Sequence, residues 1–302
     1  DMDEGTIEVA VKAGREGEVG ETTGPSCEEV VNDGDKYNIS GIAFLDANAN
    51  GDFNADEPLL ANVTVVLYNE EGEVVASTIT KADGSYIFEN LEGGNYQVVF
   101  HAQNDTEDIN EMLDTYFTAT TPLTVSVSLF DADSQNNNFG FTPEVIDILD
   151  DLDPEDPDGD GINMVGNGKT IGFWKHQLKV AIAGKGRAQI DGESMQTYID
   201  QIEELFLVEP FQFDDGNEYQ AAFDILSAKT SVKVELLKKQ LLGTEFNEVS
   251  GLGLMDEFDS LQSILVAWGE YMVAHAEEFN ESQLIDAKDV FDGINNTGNY
   301  AN

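Results

Sequence analysis

Basic residues are scarce in this sequence: 14 Lys and Arg stand against 60 Asp and Glu in 302 residues, a formal charge of −46, and only Arg15 and Arg187 carry a guanidinium. So few cations cannot displace the counterions of a phosphate backbone, which excludes nucleic acid as a partner. Cysteine occurs once, as Cys27, which excludes an intramolecular disulfide framework and leaves a free thiol or an intermolecular bridge. No apolar run approaches the ~18 residues needed to span a bilayer, which excludes direct membrane insertion. The first residue is Asp1 rather than Met, and the expectation is an exported protein, extracellular or on the cell surface, whose signal peptide has been removed.

Catalytic groupings are equally sparse. His101, His176 and His275 lie far apart with no HExxH, and Cys27 has no recognisable nucleophile setting. "NMVGNGKT" has Asn163 where a phosphate loop needs its first Gly, and "GLGLMD" follows a helical pattern rather than a strand. The chain is expected not to be an enzyme.

What is present divides into four regions. Residues 1–37 form an extension with one strand-like run over 6–13, where Ile7, Val9 and Val11 alternate with Glu8 and Ala10. A lone strand cannot bury its apolar face by itself, so these residues are a candidate assembly strand for a sheet edge. Residues 38–142 hold seven short runs rich in β-branched and aromatic residues: "ISGIAFLD", "NVTVVLYN", "VVASTIT", "SYIFENL", "NYQVVFHA", "LTVSVSLF" and "NNFGF". Turn signals separate them, which predicts an antiparallel, Ig-like β-sandwich. Residues 143–168 are acidic and rich in Pro and Gly, and read as a linker. From 169 to 302 the apolar period becomes helical: Met195, Tyr198, Ile199, Ile202, Leu205 and Phe206 form one stripe, and Leu261, Ile264, Leu265, Trp268, Met272 and Phe279 another. Asn280 and Gln283 stand at capping-box spacing before a helix expected to end at Gly293.

The densest chemical signal is "DANANGDFNADE", residues 46–57, which places seven oxygen-bearing side chains in twelve residues: Asp46, Asn48, Asn50, Asp52, Asn54, Asp56 and Glu57. Asp46, Asn48 and Asn50 fill positions one, three and five of a calcium loop, Gly51 position six and Glu57 position twelve. A hard cation takes six to eight oxygens, so alternate residues of a tight loop each supply one and a terminal Glu can supply two. Without a cation, each carboxylate pair ~5 Å apart costs about 3 kcal/mol at an effective dielectric of 20. Ca2+ is therefore the expected cofactor. The loop lies between two strand patterns, so the helical frame of an EF-hand is absent.

"SGIAFLDANANGDFNADE", "DGSYIFENLEGGNYQVVF" and "NNNFGF" together resemble the Ca2+-binding B-type repeats of Gram-positive Sdr surface proteins, which are related more distantly to collagen-adhesin B domains. The resemblance covers residues 38–142 and implies further calcium sites, with Asp83, Asp131, Asp133 and Asn136 to Asn138 as oxygen donors. Asn54 stands where that family usually has Asp. Leu45 stands near the place of the Lys that forms an isopeptide bond in collagen-adhesin B domains, so no such crosslink is expected.

In the acidic linker, Asp156, Asp158 and Asp160 again alternate before Gly161, but position twelve is Asn167 rather than Glu. Such runs resemble thrombospondin type 3 and dockerin-like calcium segments; a flexible solvated linker fits equally. "KTIGFWKHQ" is similar to the T-x-G-[FY]-W-K-x-H signature of a helical domain in secreted bacterial surface proteins. "LLKKQLLGTEFNEVSG" and "DVFDGINNTG" look like later segments of the same domain. Phe173 and Trp174 read as buried anchors more readily than as a sugar platform.

Two functions compete at this level. One is a Ca2+-stabilised structural subunit of an extracellular filament, surface layer or matrix, self-associating into a polymer by strand addition. The other is a cell-surface adhesin module with a glycan or protein ligand. Adaptation to high external salt would account for the acidity under either.

Overall fold

The computed structural model describes residues 35–100, 108–155, 164–205, 210–213 and 216–299. The candidate assembly strand (Ile7, Val9, Val11), the second candidate loop (Asp156, Asp158, Asp160), and Cys27, His101 and Phe206 lie outside the described residues.

The β region is a sandwich of two four-stranded sheets. One has the order β4 (Ser85–Leu91), β1 (Tyr37–Leu45), β8 (Phe139–Pro143), β6 (Phe117–Ala119). The other has the order β3 (Val74–Ile79), β2 (Thr64–Asn69), β5 (Gly94–Phe100), β7 (Thr124–Leu129). All strand pairs are antiparallel except β1 with β8, which run parallel with Ala43, Phe44 and Leu45 opposite Phe139, Gly140 and Phe141. The two-residue period carries the packing. In β7, Val127 and Leu129 are buried while Thr124, Ser126 and Ser128 face solvent. Between the sheets Phe100 packs on Phe141 with ring centroids 4.4 Å apart, and the Tyr86 ring stacks on Phe139 at 6.1 Å.

Gly41 shows why one position of β1 tolerates no side chain: a Cβ there would lie 2.0 Å from the Asn137 carbonyl oxygen and 2.8 Å from the Tyr86 hydroxyl. Gly41→Ala is expected to destabilise the sandwich by about 2 kcal/mol through forced backbone displacement, read as a lower urea midpoint at unchanged slope.

Each of the seven expected runs contributes a strand, β1 to β5, β7 and β8, and two helices join them. Helix α1 (Asp108–Tyr116) leads straight into β6. Met112, Leu113 and Tyr116 are buried at helical spacing inside an otherwise two-residue pattern. The stretch 143–168, expected as a linker, begins with helix α2 (Val145–Asp151), on which Ile148 is fully buried, and Leu152 follows it into the core. The Tyr116 hydroxyl donates to Asp151 at 2.7 Å, and Met164 beyond is also buried. The reason is local: Val145, Ile148, Leu149 and Leu152 step by three, one and three through the acids and give a short apolar stripe.

The remainder is helical: α3 (Ile171–Ala183), α4 (Gly192–Glu203), α5 (Glu218–Ser227), α6 (Lys233–Val249), α7 (Asp259–Ala274) and α8 (Glu281–Asn296). Residues Asp35–Asn302, sandwich and helices, form one compact unit. Asn280 makes the expected capping box with Gln283. The helix does not end at Gly293 but continues to Asn296, because Gly293 is a packing position: a Cβ there would lie 2.9 Å from Leu152 Cδ1. Phe279 is not on α7 but follows a 3-10 turn over Ala276–Glu278.

Candidate cation-binding loop

Loop 46–57 leaves β1 at Leu45 and returns toward β2 through Leu59 and Leu60, of which Leu59 bridges Phe44. Two residues with positive φ, Ala49 at 56° and Gly51 at 82°, produce its tight reversal. Asp46 is fully buried, and its two carboxylate oxygens accept from Asn50 N at 3.0 Å and Gly51 N at 2.7 Å. Glu57 closes the loop from the other end. It is also buried, and its oxygens accept from Ala47 N at 3.1 Å and Asn54 N at 2.8 Å. Burial pushes the Glu57 carboxyl up to about 7; the Asn54 N–H opposes this and the Asp46 charge adds to it. The side-chain oxygens of Asn48 and Asn50 accept from Asn50 N and Asp52 N.

The structure thus gathers Asp46, Asn48, Asn50, Asn54 and Glu57, while Asp52 and Asp56 are exposed. Among the described residues no three His, Cys, Asp or Glu side chains converge as a preformed metal cluster. The donors here are instead two buried carboxylates plus amide oxygens. That all-oxygen set fits a hard cation, because each carboxylate oxygen engaged by one N–H retains acceptor capacity. The oxygens offered for further sites also accept from nearby groups. Asp133 accepts from Asn38 N at 2.8 Å, Asp83 accepts from Ser85, and Asn138 accepts from Ile42 N.

Three residues that sequence reasoning missed meet this loop from the helical region. Glu278 accepts from Asn48 Nδ2 at 2.7 Å and from the Tyr271 hydroxyl at 3.2 Å, and His275 Nε2 lies 3.5 Å from Asp56. Burial pushes the ionisation of the Tyr271 hydroxyl up to about 12, and the Glu278 and Glu57 charges add to the shift. More than two hundred residues separate these partners in the chain, and no local pattern announces the contact.

The signature residues of the helical region form a second polar centre. Trp174 is fully buried and stacks on Phe246 at 5.0 Å, so it is an anchor rather than a sugar platform. Its Nε1 donates to Asn247 Oδ1 at 3.1 Å, which also accepts from Lys169 N at 2.8 Å. Asn247 Nδ2 donates to Lys169 O at 3.1 Å and to Asn295 Oδ1 at 2.9 Å. Two residues before Asn247, Glu245 is fully buried with neither carboxyl oxygen hydrogen-bonded, and burial together with the Glu270 charge holds it well above the usual carboxylate range.

Because the native state keeps the Glu245 proton while the unfolded chain releases it above a pH of about 4.5, this group lowers stability as pH rises from there toward its native value. Glu245→Leu is expected to raise stability at neutral pH by on the order of 2 kcal/mol and to flatten the decline between pH 5 and 7. Thermal melts of both proteins across that range check it, and identical pH slopes would sink it.

Residues 37–139 match the family model of the SdrD B-like domain. The chain is 37% identical over 81 residues to the bone sialoprotein-binding protein of Staphylococcus aureus strain MRSA252, covering 24% of this chain and 7% of that protein. It is 36% identical over 81 residues to serine-aspartate repeat-containing protein D of S. aureus strain Newman, covering 24% of this chain and 6% of that protein. The chain therefore spans well under a tenth of the length of these relatives. The solved structure of the Bacillus anthracis TIE protein matches 36% of this chain and 17% of its own at 15% identity and a TM-score of 0.25. That of GBS52, the minor pilin of Streptococcus agalactiae, matches 36% and 44% at 10% identity and the same TM-score of 0.25. No helix among the described residues is long and apolar enough to cross a membrane.

Proposed function

We propose that the chain is a non-enzymatic structural component of a bacterial cell-surface or extracellular assembly, whose SdrD B-like segment is stiffened by Ca2+ bound at loop 46–57. The observation that carries this reading is the pair of buried carboxylates, Asp46 and Glu57, closing a loop of amide oxygens beside the first strand of the sandwich. Asp46, Asn48, Asn50 and Glu57 would hold the ion, with Asn54 at its rim. Bound there, Ca2+ would neutralise charges that otherwise repel one another and tie the two ends of the loop together. The sequence alternation of Ile7, Val9 and Val11 supports strand addition to a neighbouring subunit, so self-association into a polymer is part of the proposal.

Electron microscopy of the purified chain with Ca2+ and after EGTA tests it: ordered fibres that need Ca2+ support a structural subunit. The name of the bone sialoprotein-binding relative favours a second reading, an adhesin module with a protein or glycan ligand. Monodisperse particles in both conditions, with retention on a ligand array, would replace the first reading with this one.

A further inference from the structure

The contact between the loop and the helical region has a direction that the hydrogen bonds define. An Asn side chain in a cation loop is useful only when its oxygen faces the loop interior, and the amide can be flipped at little steric cost because its two ends are nearly the same shape. At Asn48 the oxygen accepts from Asn50 N inside the loop, while the nitrogen points outward and donates to Glu278 at 2.7 Å. Glu278 can only accept, so it selects that orientation of the amide. Glu278 is itself held by the Tyr271 hydroxyl at 3.2 Å. Tyr271 lies on α7 and is buried, with its ring stacked on His275 at a centroid distance of 4.2 Å, so the support stands on a packed element rather than on a free loop.

We infer that Glu278 and Tyr271 are positioning residues for the loop: the helical region, from outside the SdrD B-like segment, sets the amide orientation of Asn48 and so completes the cation site. This rests on the calcium reading of the loop. Outer partners of metal ligands fix ligand orientation, and their removal typically weakens metal binding ten- to a hundred-fold.

The test is Ca2+ titration by calorimetry of the full chain and of Glu278→Ala, Glu278→Gln and Tyr271→Phe, with melting in EGTA to establish that each variant is folded. Glu278→Ala is expected to bind Ca2+ ten- to a hundred-fold more weakly. Glu278→Gln retains an oxygen that can accept from Asn48 and is expected to restore binding to within about three-fold, and Tyr271→Phe to fall between them. Equal losses in Glu278→Ala and Glu278→Gln would show that the charge rather than the amide contact matters, and would overturn the inference. Unchanged affinity in Glu278→Ala and Tyr271→Phe would overturn it while leaving the calcium loop intact. No Ca2+ binding by the parent chain would remove the calcium reading itself and the inference with it. Should Glu278→Ala not fold, the comparison of Tyr271→Phe with the parent decides alone.

Discussion

Asn247→Ala should destabilise the helical region by on the order of 4 kcal/mol, read as a fall in Tm of roughly 10 °C. The carboxamide satisfies the Trp174 indole N–H and both the N–H and C=O of Lys169, besides its bond to Asn295. Truncation leaves three of these groups unsatisfied where Asn247 and Trp174 are both at 0% exposure and Lys169 is half-buried. Each stranded group costs about 1–3 kcal/mol, and partial relaxation brings the sum down toward the low end. The Asn295 oxygen is less affected, because Thr244 Oγ1 also donates to it at 3.2 Å. A Tm within about 2 °C of the parent would show that water replaces the amide and that the signature residues are not the structural tie described here.

The second large effect concerns the loop. In the parent chain, saturating Ca2+ at about a hundred times its Kd should add roughly 2.7 kcal/mol over the EGTA form, or about 5–10 °C in Tm. Asp46→Ala should abolish that gain, and should lower the EGTA form as well by about 2 kcal/mol, because the N–H groups of Asn50 and Gly51 lose their acceptor. Asp46→Asn separates the two contributions: it keeps one acceptor oxygen but lacks the charge. A Ca2+-dependent rise in Tm that survives Asp46→Ala would place the ion elsewhere in this acidic chain.

The sandwich was legible because alternation is a local property. Val125, Val127 and Leu129 declare a buried face within six residues, and the turn glycines mark where each run ends. Helix α1 was hidden by its neighbours, since nine residues of helical spacing between β runs carry too few turns to stand out. Helix α2 was hidden by composition: "VIDILDDL" reads as an acid-rich linker until Ile148 and Leu152 find a surface to bury against. Gly293 misled because glycine ends helices when its φ must be positive, whereas here it serves close approach to Leu152. For the loop, the donors Asp46 to Glu57 were readable as a pattern, but the partners Tyr271, His275 and Glu278 were not. Whether a carboxylate on an exposed turn faces solvent or an amide more than two hundred residues away depends on how the helices dock, which no short-range spacing encodes.

The parallel pairing of β1 with β8 has a mechanical meaning. The first and last strands of the sandwich lie side by side and point the same way, joined at Ala43–Phe139, Phe44–Gly140 and Leu45–Phe141. A pull applied to the start of β1 and the end of β8 therefore slides the two strands along each other. The hydrogen bonds between them share the load together instead of opening one after another from a free end. Loop 46–57 begins one residue beyond Leu45, at the far end of that sheared pair, so any ion that stiffens the loop also braces the segment on which tension through the sandwich would fall.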